Sequence, residues 1–447
     1  MRNGFFVRDL RRCPGLGMMV ACACLYLTVS GGAQGRNPLE FEPKANKEAQ
    51  KLLPVHASQA PAFSIAAEPL GFSAPGALYL GSRDSLASLD FVDENRLLFT
   101  FRVPGLIHRE ADDEEEGDQR NIRAVLLSLP AGTVDAETVW TLHDRARYLW
   151  MLKDGQFLVR DGAELKQGNV ALELKPMLRF PGPLLWVEVD PSQQFLVTGS
   201  REPLAGKAAS TGFSPRPEVA GTSAENQGDL LLRILHRDTG QVVLSTRLRS
   251  AIHLPIGSNG YLENLHARGI EWQLNLHAFD GTITPLARLN STCVPSSYFA
   301  SQREFVASVC NALGEHRLEA IASTGRLLWQ VQLSDHEVWP LLVFARDGSR
   351  LAQESLLVAR EINASSPLTT DDIKGQNVRV FDAANGHIAL VAQASPPLDA
   401  GGNVAISPSG RRVAVLNGGM LEIFELPTAP PVPMASSAPS VFQNGLE

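Results

Sequence analysis

Apolar and polar positions along this chain alternate in a repeating unit. An apolar residue leads into a short turn rich in Asp, Pro, Ser or Gly, and a second apolar run follows. Clear copies are Phe91-Val92-Asp93-Glu94-Asn95-Arg96-Leu97, Val189-Asp190-Pro191-Ser192-Gln193-Gln194-Phe195 and Phe299-Ala300-Ser301-Gln302-Arg303-Glu304-Phe305. Two more are Phe344-Ala345-Arg346-Asp347-Gly348-Ser349-Arg350-Leu351 and Ile406-Ser407-Pro408-Ser409-Gly410-Arg411-Arg412-Val413. Degenerate copies lie near residues 151 and 254, which brings the number to seven. The turn residues preset or tolerate bend dihedrals. The flanking Val, Leu, Ile and aromatic residues suit a pleated strand. Runs apolar at nearly every position predict strands covered on both faces.

A second hairpin follows each first one at a distance. Leu230–His236 runs through Arg237-Asp238-Thr239-Gly240 into Gln241–Leu244. Leu318–Ile321 runs through Ala322–Gly325 into Arg326–Trp329, and Val378–Phe381 through Asp382–Gly386 into His387–Leu390. Two hairpins per unit make four strands. The unit resembles the blade of a WD-repeat or YVTN-type β-propeller over residues 76–427. It lacks the Gly-His and Trp-Asp signatures of WD repeats proper, so the resemblance implies blade geometry alone. The fold expected is all-β: one propeller domain, with seven four-stranded blades. The last unit offers three strands, 403–406, 412–416 and 420–426. Ala77–Leu80 is therefore expected to supply the fourth and close the ring from the N-terminal side.

Residues 1–33 read as a secretion signal. Arg2, Arg8, Arg11 and Arg12 precede an apolar stretch from Gly15 to Val29, and Gly31-Gly32-Ala33 offers a cleavage site. An uncleaved anchor is the rival reading, although the stretch, at about 15 residues, is short for a bilayer core. Cys22 after Met19-Val20-Ala21 faintly resembles a lipoprotein box. Export places the chain in a periplasmic or extracellular compartment, and no later stretch is long and apolar enough for a membrane span. Residues 34–75 read as a flexible segment with a short helix over Lys44–Leu53, and residues 428–447 as a disordered Pro/Ala/Ser-rich tail. Three long polar insertions, Glu110–Asp118, Ala205–Gly228 and Ile362–Gln376, read as solvated surface loops.

The formal net charge is −8. With Arg2, Arg8, Asp9, Arg11 and Arg12 removed, 36 basic side chains face 47 acidic ones. That balance repels phosphate backbones and argues against a nucleic-acid partner. Of the five cysteines, only Cys293 and Cys310 lie beyond the signal. With Ser301-Gln302 as the hairpin centre they face each other, and a disulfide is expected in an oxidising compartment. It would close a loop of about 16 residues, a constraint of about 3 kcal/mol in the chain-entropy model.

No nucleophile elbow, zinc-protease helix, phosphate loop, EF-hand or Cys-x-x-Cys pair occurs. His253, His266 and His277, with Glu263 and Glu271, fall in one unit, but nothing in their spacing forces convergence on a metal. Asp112–Glu116 lacks the alternation of a calcium loop. Trp140, Trp150, Trp186, Trp272, Trp329 and Trp339 sit mostly inside apolar strands, where packing between blades is the expected role. No catalytic, cofactor-binding or metal-binding residue is assigned, and no cofactor. The function expected is a monomeric binding or protein-interaction scaffold, its partner an unidentified protein or small molecule. The alternative is a lactonase- or lyase-like propeller acting on a sugar-derived substrate, with residues from several blades meeting at the channel mouth. Amino-terminal sequencing of the mature protein is expected to begin at Gln34; a chain retaining residues 1–33 would refute the cleaved signal.

Overall fold

The computed structural model describes residues 57–74, 87–103, 119–144, 147–201, 230–248, 254–301, 304–311, 316–334, 336–360, 362, 368–398 and 400–430. Within them the chain forms strand β1 (Phe63–Ala66), a 3-10 turn at Glu68–Leu70, and seven antiparallel sheets. Sheet I holds β2 (Ala87–Phe91), β3 (Arg96–Arg102), β4 (Arg120–Ser128) and β5 (Thr133–Leu142). Sheet II holds β6 (Leu149–Met151), β7 (Phe157–Asp161), β8 (Glu164–Gly168) and β9 (Leu174–Arg179). Sheet III holds β10 (Leu184–Val189), β11 (Phe195–Arg201), β12 (Leu230–His236) and β13 (Val242–Leu248). Sheet IV holds β14 (Ile256–Gly257), β15 (Gly260–Arg268), β16 (Glu271–Ala278) and β17 (Ile283–Asn290). Sheet V holds β18 (Ser296–Phe299), β19 (Glu304–Cys310), β20 (His316–Ala322) and β21 (Leu327–Gln332). Sheet VI holds β22 (Glu337–Phe344), β23 (Arg350–Val358), β24 (Ile373–Asp382) and β25 (Ile388–Ala394). Sheet VII holds β26 (Val404–Ile406), β27 (Arg412–Asn417) and β28 (Met420–Glu425), with β1 as its fourth strand.

The burial patterns explain this arrangement. Second strands other than β15, which is exposed over its last four residues, are covered on both faces: β23 is buried at all but one position, and β3 at its five central ones. Outer strands alternate, as β5 does, with Val139 54 % exposed. Each pair of neighbouring sheets shares one apolar cluster. Leu98, Trp140, Tyr148 and Phe157 join sheets I and II; Trp150, Leu158 and Leu196 join II and III; Val197, Ile234 and Ile256 join III and IV. Leu262, Leu274 and Phe305 join IV and V; Leu318, Trp329 and Phe381 join V and VI; Val380, Val413 and Phe424 join VI and VII. Leu89, Phe99, Leu416 and Ile423 then join VII back to I. The seven interfaces close a circle. The fold is a seven-bladed β-propeller.

All seven first-turn copies in the sequence sit between the first two strands of a blade. The expectation for the N-terminal strand needs correction. The position beside β28 is taken by Phe63–Ala66, which pairs Phe63 with Ile423 and Ala66 with Met420. Ala77–Leu80 lies outside the described residues. Phe63 and Ile65 pack on the cluster shared by blades VII and I, so part of the segment expected to be flexible is built into a sheet. Of the three insertions, 110–118 and 205–228 lie outside the described residues. So do the Lys44–Leu53 helix and all of residues 431–447.

Two arginines fasten neighbouring blades at the turn end. Arg350 opens β23 and pairs with Asp382 directly across the ladder, Nε to Oδ1 at 2.8 Å, with the Arg350 side chain 1 % exposed. Its Nη1 donates to Gly410 O of blade VII at 2.7 Å, and its Nη2 to Pro427 O. Arg412 opens β27 in the same way. It pairs with Glu425 across the ladder and donates to Glu94 O of blade I. The first pair is dry and the second wet, and this difference decides their worth. Removing one partner of a buried pair strands a charge and costs about 3–5 kcal/mol, whereas an exposed pair contributes about 1 kcal/mol or less. Arg350→Ala is expected to lower unfolding stability by that larger amount and Arg412→Ala by the smaller; equal losses in denaturant unfolding would refute the ranking.

Candidate functional site

The first strands of the blades stand at the centre of the ring, and their side chains line a channel. A cavity of about 440 Å³ runs along it, bounded by β6, β10, β14, β18 and β22 of five successive blades. Its wall is mostly aromatic and aliphatic: Trp150, Trp186, Val187, Ile256, Tyr298, Phe299, Leu342 and Phe344. Arg147, Arg160 and Glu188 supply its charge. Trp186 lies opposite Gly199 on β11, where any Cβ would meet the indole at 2.4 Å. Glycine there gives the ring its seat.

Charge is concentrated at the two ends. At the end where first strands begin, Arg160 is held by Asp144 through two bonds of 2.6 and 2.7 Å, and its Nη1 donates to Leu185 O. Arg147 is exposed, donates from Nε to Leu149 O at 3.3 Å, and lies 5.7 Å from the centre of the Trp150 ring. Among the described residues no carboxylate comes within ion-pair distance of it. Two acids feel its charge. Asp90 on β2 accepts from Ser88 Oγ at 2.5 Å, and burial pushes its carboxyl up to about 6 against the pull of Arg147 and Ser88. Glu354 on β23 is 1 % exposed, and burial pushes it up to about 8 against the Gly402 N–H and Arg147. Its Oε1 has no hydrogen-bond partner. At the turn end, burial lowers Arg346, and Asp154, Glu94 and Asp93 hold it charged. The end where first strands begin thus carries two arginines, one of them paired, and the turn end carries Arg346, which feels three acids.

None of these groups was singled out from the sequence. A signal for Glu354 exists: Gln353-Glu354-Ser355 interrupts an apolar second strand, where every face is covered and polar side chains are costly. Asp90 and Arg147 carry no such mark, because one sits on an alternating strand and the other in a loop.

The residues that the sequence did single out fall elsewhere. Cys293 and Cys310 lie at disulfide distance, Sγ to Sγ 2.12 Å and Cα to Cα 5.5 Å. The register differs by one from a 293–310 pairing: Ser296 faces Ser308 and Phe299 faces Phe305, which would set Val294 opposite Cys310. Cys293 reaches its partner from the irregular stretch before β18, where Ser291 Oγ accepts from Cys310 N. His277 Nε2 lies 2.6 Å from Glu263 Oε2, while His266 Nε2 meets Gly269 O at 2.9 Å. Glu271 stands in the ladder opposite Arg268 and Asn290. No three potential ligands gather among the described residues; His253 and Asp112–Glu116 lie outside them. Trp140 donates to Leu172 O of blade II, and Trp329 to Ala383 O of blade VI, beneath Gly386, so both pack between blades. Trp272 donates to Ser291 O and is partly buried against the cluster of blades IV and V. Trp150 and Trp186 also face the channel. Trp339 lies on β22.

No family model matches the chain, and no curated protein matches it. Among solved structures it is similar to the WD40 domain of Toxoplasma gondii coronin, at 8 % identity and TM-score 0.45, covering 86 % of this chain and 90 % of that one. It is also similar to the WD40 β-propeller domain of Doa1, at 9 % identity and TM-score 0.40, over 81 % of this chain and 97 % of that one. A third is the β-propeller domain of the trilobed protease of Pyrococcus furiosus, at 9 % identity and TM-score 0.43, over 77 % and 94 %. The assignment to the propeller fold rests on the sheet topology itself.

The raised carboxyls make stability depend on pH in a defined sense. Glu354 binds its proton more tightly folded, up to about pH 8, than unfolded, near its ordinary value of 4.5. Folded protein therefore holds more protons between those limits, and stability falls as pH rises through them. Glu354→Gln keeps the acceptor for Gly402 and removes the ionisation. Its melting temperature is expected to exceed that of the wild type at pH 8 and to match it near pH 4.5; an unchanged difference across that range would refute the assignment.

Proposed function

We propose that this chain is an exported β-propeller that serves as a binding scaffold, taking a ligand or a segment of a partner protein into its central channel. The observation that carries this reading is the channel wall. Tyr298, Phe299, Leu342 and Phe344 present apolar area toward a cavity rather than toward a neighbouring blade alone. Apolar cavities with a few placed polar groups are the usual form of a binding site. Here the charged groups are Arg147, Arg160 and Glu188. The sheets that hold these side chains are locked on both faces, so the wall is preformed and little ordering cost opposes binding. Among the described residues no helix is long and apolar enough to cross a membrane. Export is supported by the basic, apolar and small-residue order of residues 1–33.

The reading is tested by placing the photo-crosslinking residue p-benzoylphenylalanine at Tyr298, in the channel, and at Val139, on the outer strand β5, in the cell that makes the protein. A defined adduct at position 298 and none at 139 is expected. Adducts at neither position, or equal labelling of both, would overturn the channel as the binding site.

A further inference from the structure

The two ends of the channel are not equivalent, and the difference says what the cavity would take. Arg346, at the turn end, is not among the residues lining the cavity and feels the charge of Asp154, Glu94 and Asp93. Arg160 is spent on Asp144 and on Leu185 O. Of the two arginines that line the cavity, Arg147 keeps its terminal nitrogens clear of carboxylates at ion-pair distance among the described residues, and it is poised near the Trp150 ring. A second donor belongs to the same end: Trp186, third residue of β10, lines the cavity, and its Nε1–H is buried with no hydrogen-bond partner. A buried indole N–H without an acceptor is costly, and an acceptor supplied by a ligand would relieve it. Deeper in the cavity the wall turns apolar, with Val187, Tyr298, Leu342 and Phe344. Glu188 on β10 lies among them and raises Tyr298 together with burial, so a negative group is disfavoured there and favoured at the rim.

We infer that the channel binds a small organic carboxylate with an aromatic or branched apolar body, the carboxylate resting on the Arg147 guanidinium and the body lying between Tyr298, Leu342 and Phe344. A planar guanidinium matches a carboxylate through two parallel hydrogen bonds. The inference rests on the binding reading above and names its ligand class.

The charged groups near Arg147 set how this binding responds to pH. Arg160 and Asp144 neutralise one another. Tyr148 stays protonated, since burial raises it. Glu354 and Asp90 both feel Arg147, and Asp90, with its carboxyl at about 6, is the acid that ionises against an incoming anion near neutral pH. Protonating Asp90 removes that repulsion, so affinity for a carboxylate rises as pH falls from 7.5 to 5.5.

The experiment is titration calorimetry of the full mature chain with 4-phenylbutyrate and with 4-phenylbutanol, its neutral counterpart, alongside tryptophan emission. Binding of the acid at least tenfold tighter than the alcohol is expected. Arg147→Gln should weaken the acid about tenfold and leave the alcohol unchanged. Asp90→Asn, which keeps the bond from Ser88, should tighten the acid at pH 7.5 and flatten its pH dependence. Melting temperatures within a few degrees of wild type confirm that both variants fold. Equal binding of acid and alcohol, or an acid affinity indifferent to both substitutions, would overturn the carboxylate assignment while leaving the channel reading to the crosslinking result. Failure of either compound to bind a protein that crosslinks through position 298 would overturn the carboxylate assignment alone.

Discussion

The second strand of six of the seven blades is too apolar to tolerate water on either face (β15 of blade IV, exposed over its last four residues, is the exception), and everything else follows from this constraint. A lone four-stranded sheet can cover one face by folding on itself, never both. Side chains such as Leu98, Leu158, Val197, Val306 and Val413 are fully or almost fully buried because a neighbouring sheet lies on each side. Each such side chain contributes about 1.5–3 kcal/mol when removed from water. The arrangement that gives every sheet two neighbours and leaves none unpaired is a circle.

A circle of sheets makes a channel as a by-product. First strands converge at the axis, where seven backbones cannot all fill the centre, and their inward side chains are left facing a void. Small residues where sheets meet keep the approach close. Gly402 lies against Ala87 O, where any Cβ would stand 2.2 Å away. That tight seam between blades VII and I brings the Gly402 N–H to Glu354 and holds the acid where water does not reach it. The electrostatic peculiarities of the channel are thus consequences of packing: a polar residue on a strand that must be covered twice is desolvated whether or not a partner awaits it.

The arginine fasteners show the same logic on the other face. Arg350 and Arg412 occupy equivalent ladder positions and reach equivalent turns of the next blade. In blade V the equivalent position holds Glu304, opposite Ala322, and its Oε2 is buried without a hydrogen-bond partner. Burial accordingly raises its carboxyl. The interface there is held by Trp329 instead, seated under Gly386 with its indole N–H on Ala383 O. Apolar area and one directed hydrogen bond replace an ionic clamp.

The amino-acid order by itself determined the strands, their turns and their grouping in fours, because those depend on residues close in the chain. A run such as Leu351-Ala352-Gln353-Glu354-Ser355-Leu356 is a covered strand in any context, and Asp382-Ala383-Ala384-Asn385-Gly386 a hairpin turn. Only the tertiary structure decided which distant segment completes blade VII. Ladder bonds are made by backbone groups common to all residues, so Phe63–Ala66 and Ala77–Leu80 were equivalent candidates until one was seen docked against Ile423. The same holds for the channel. Asp90, Arg147, Trp186 and Glu354 come from four blades or the loops between them, and no local pattern encodes a meeting that exists only once the ring has closed.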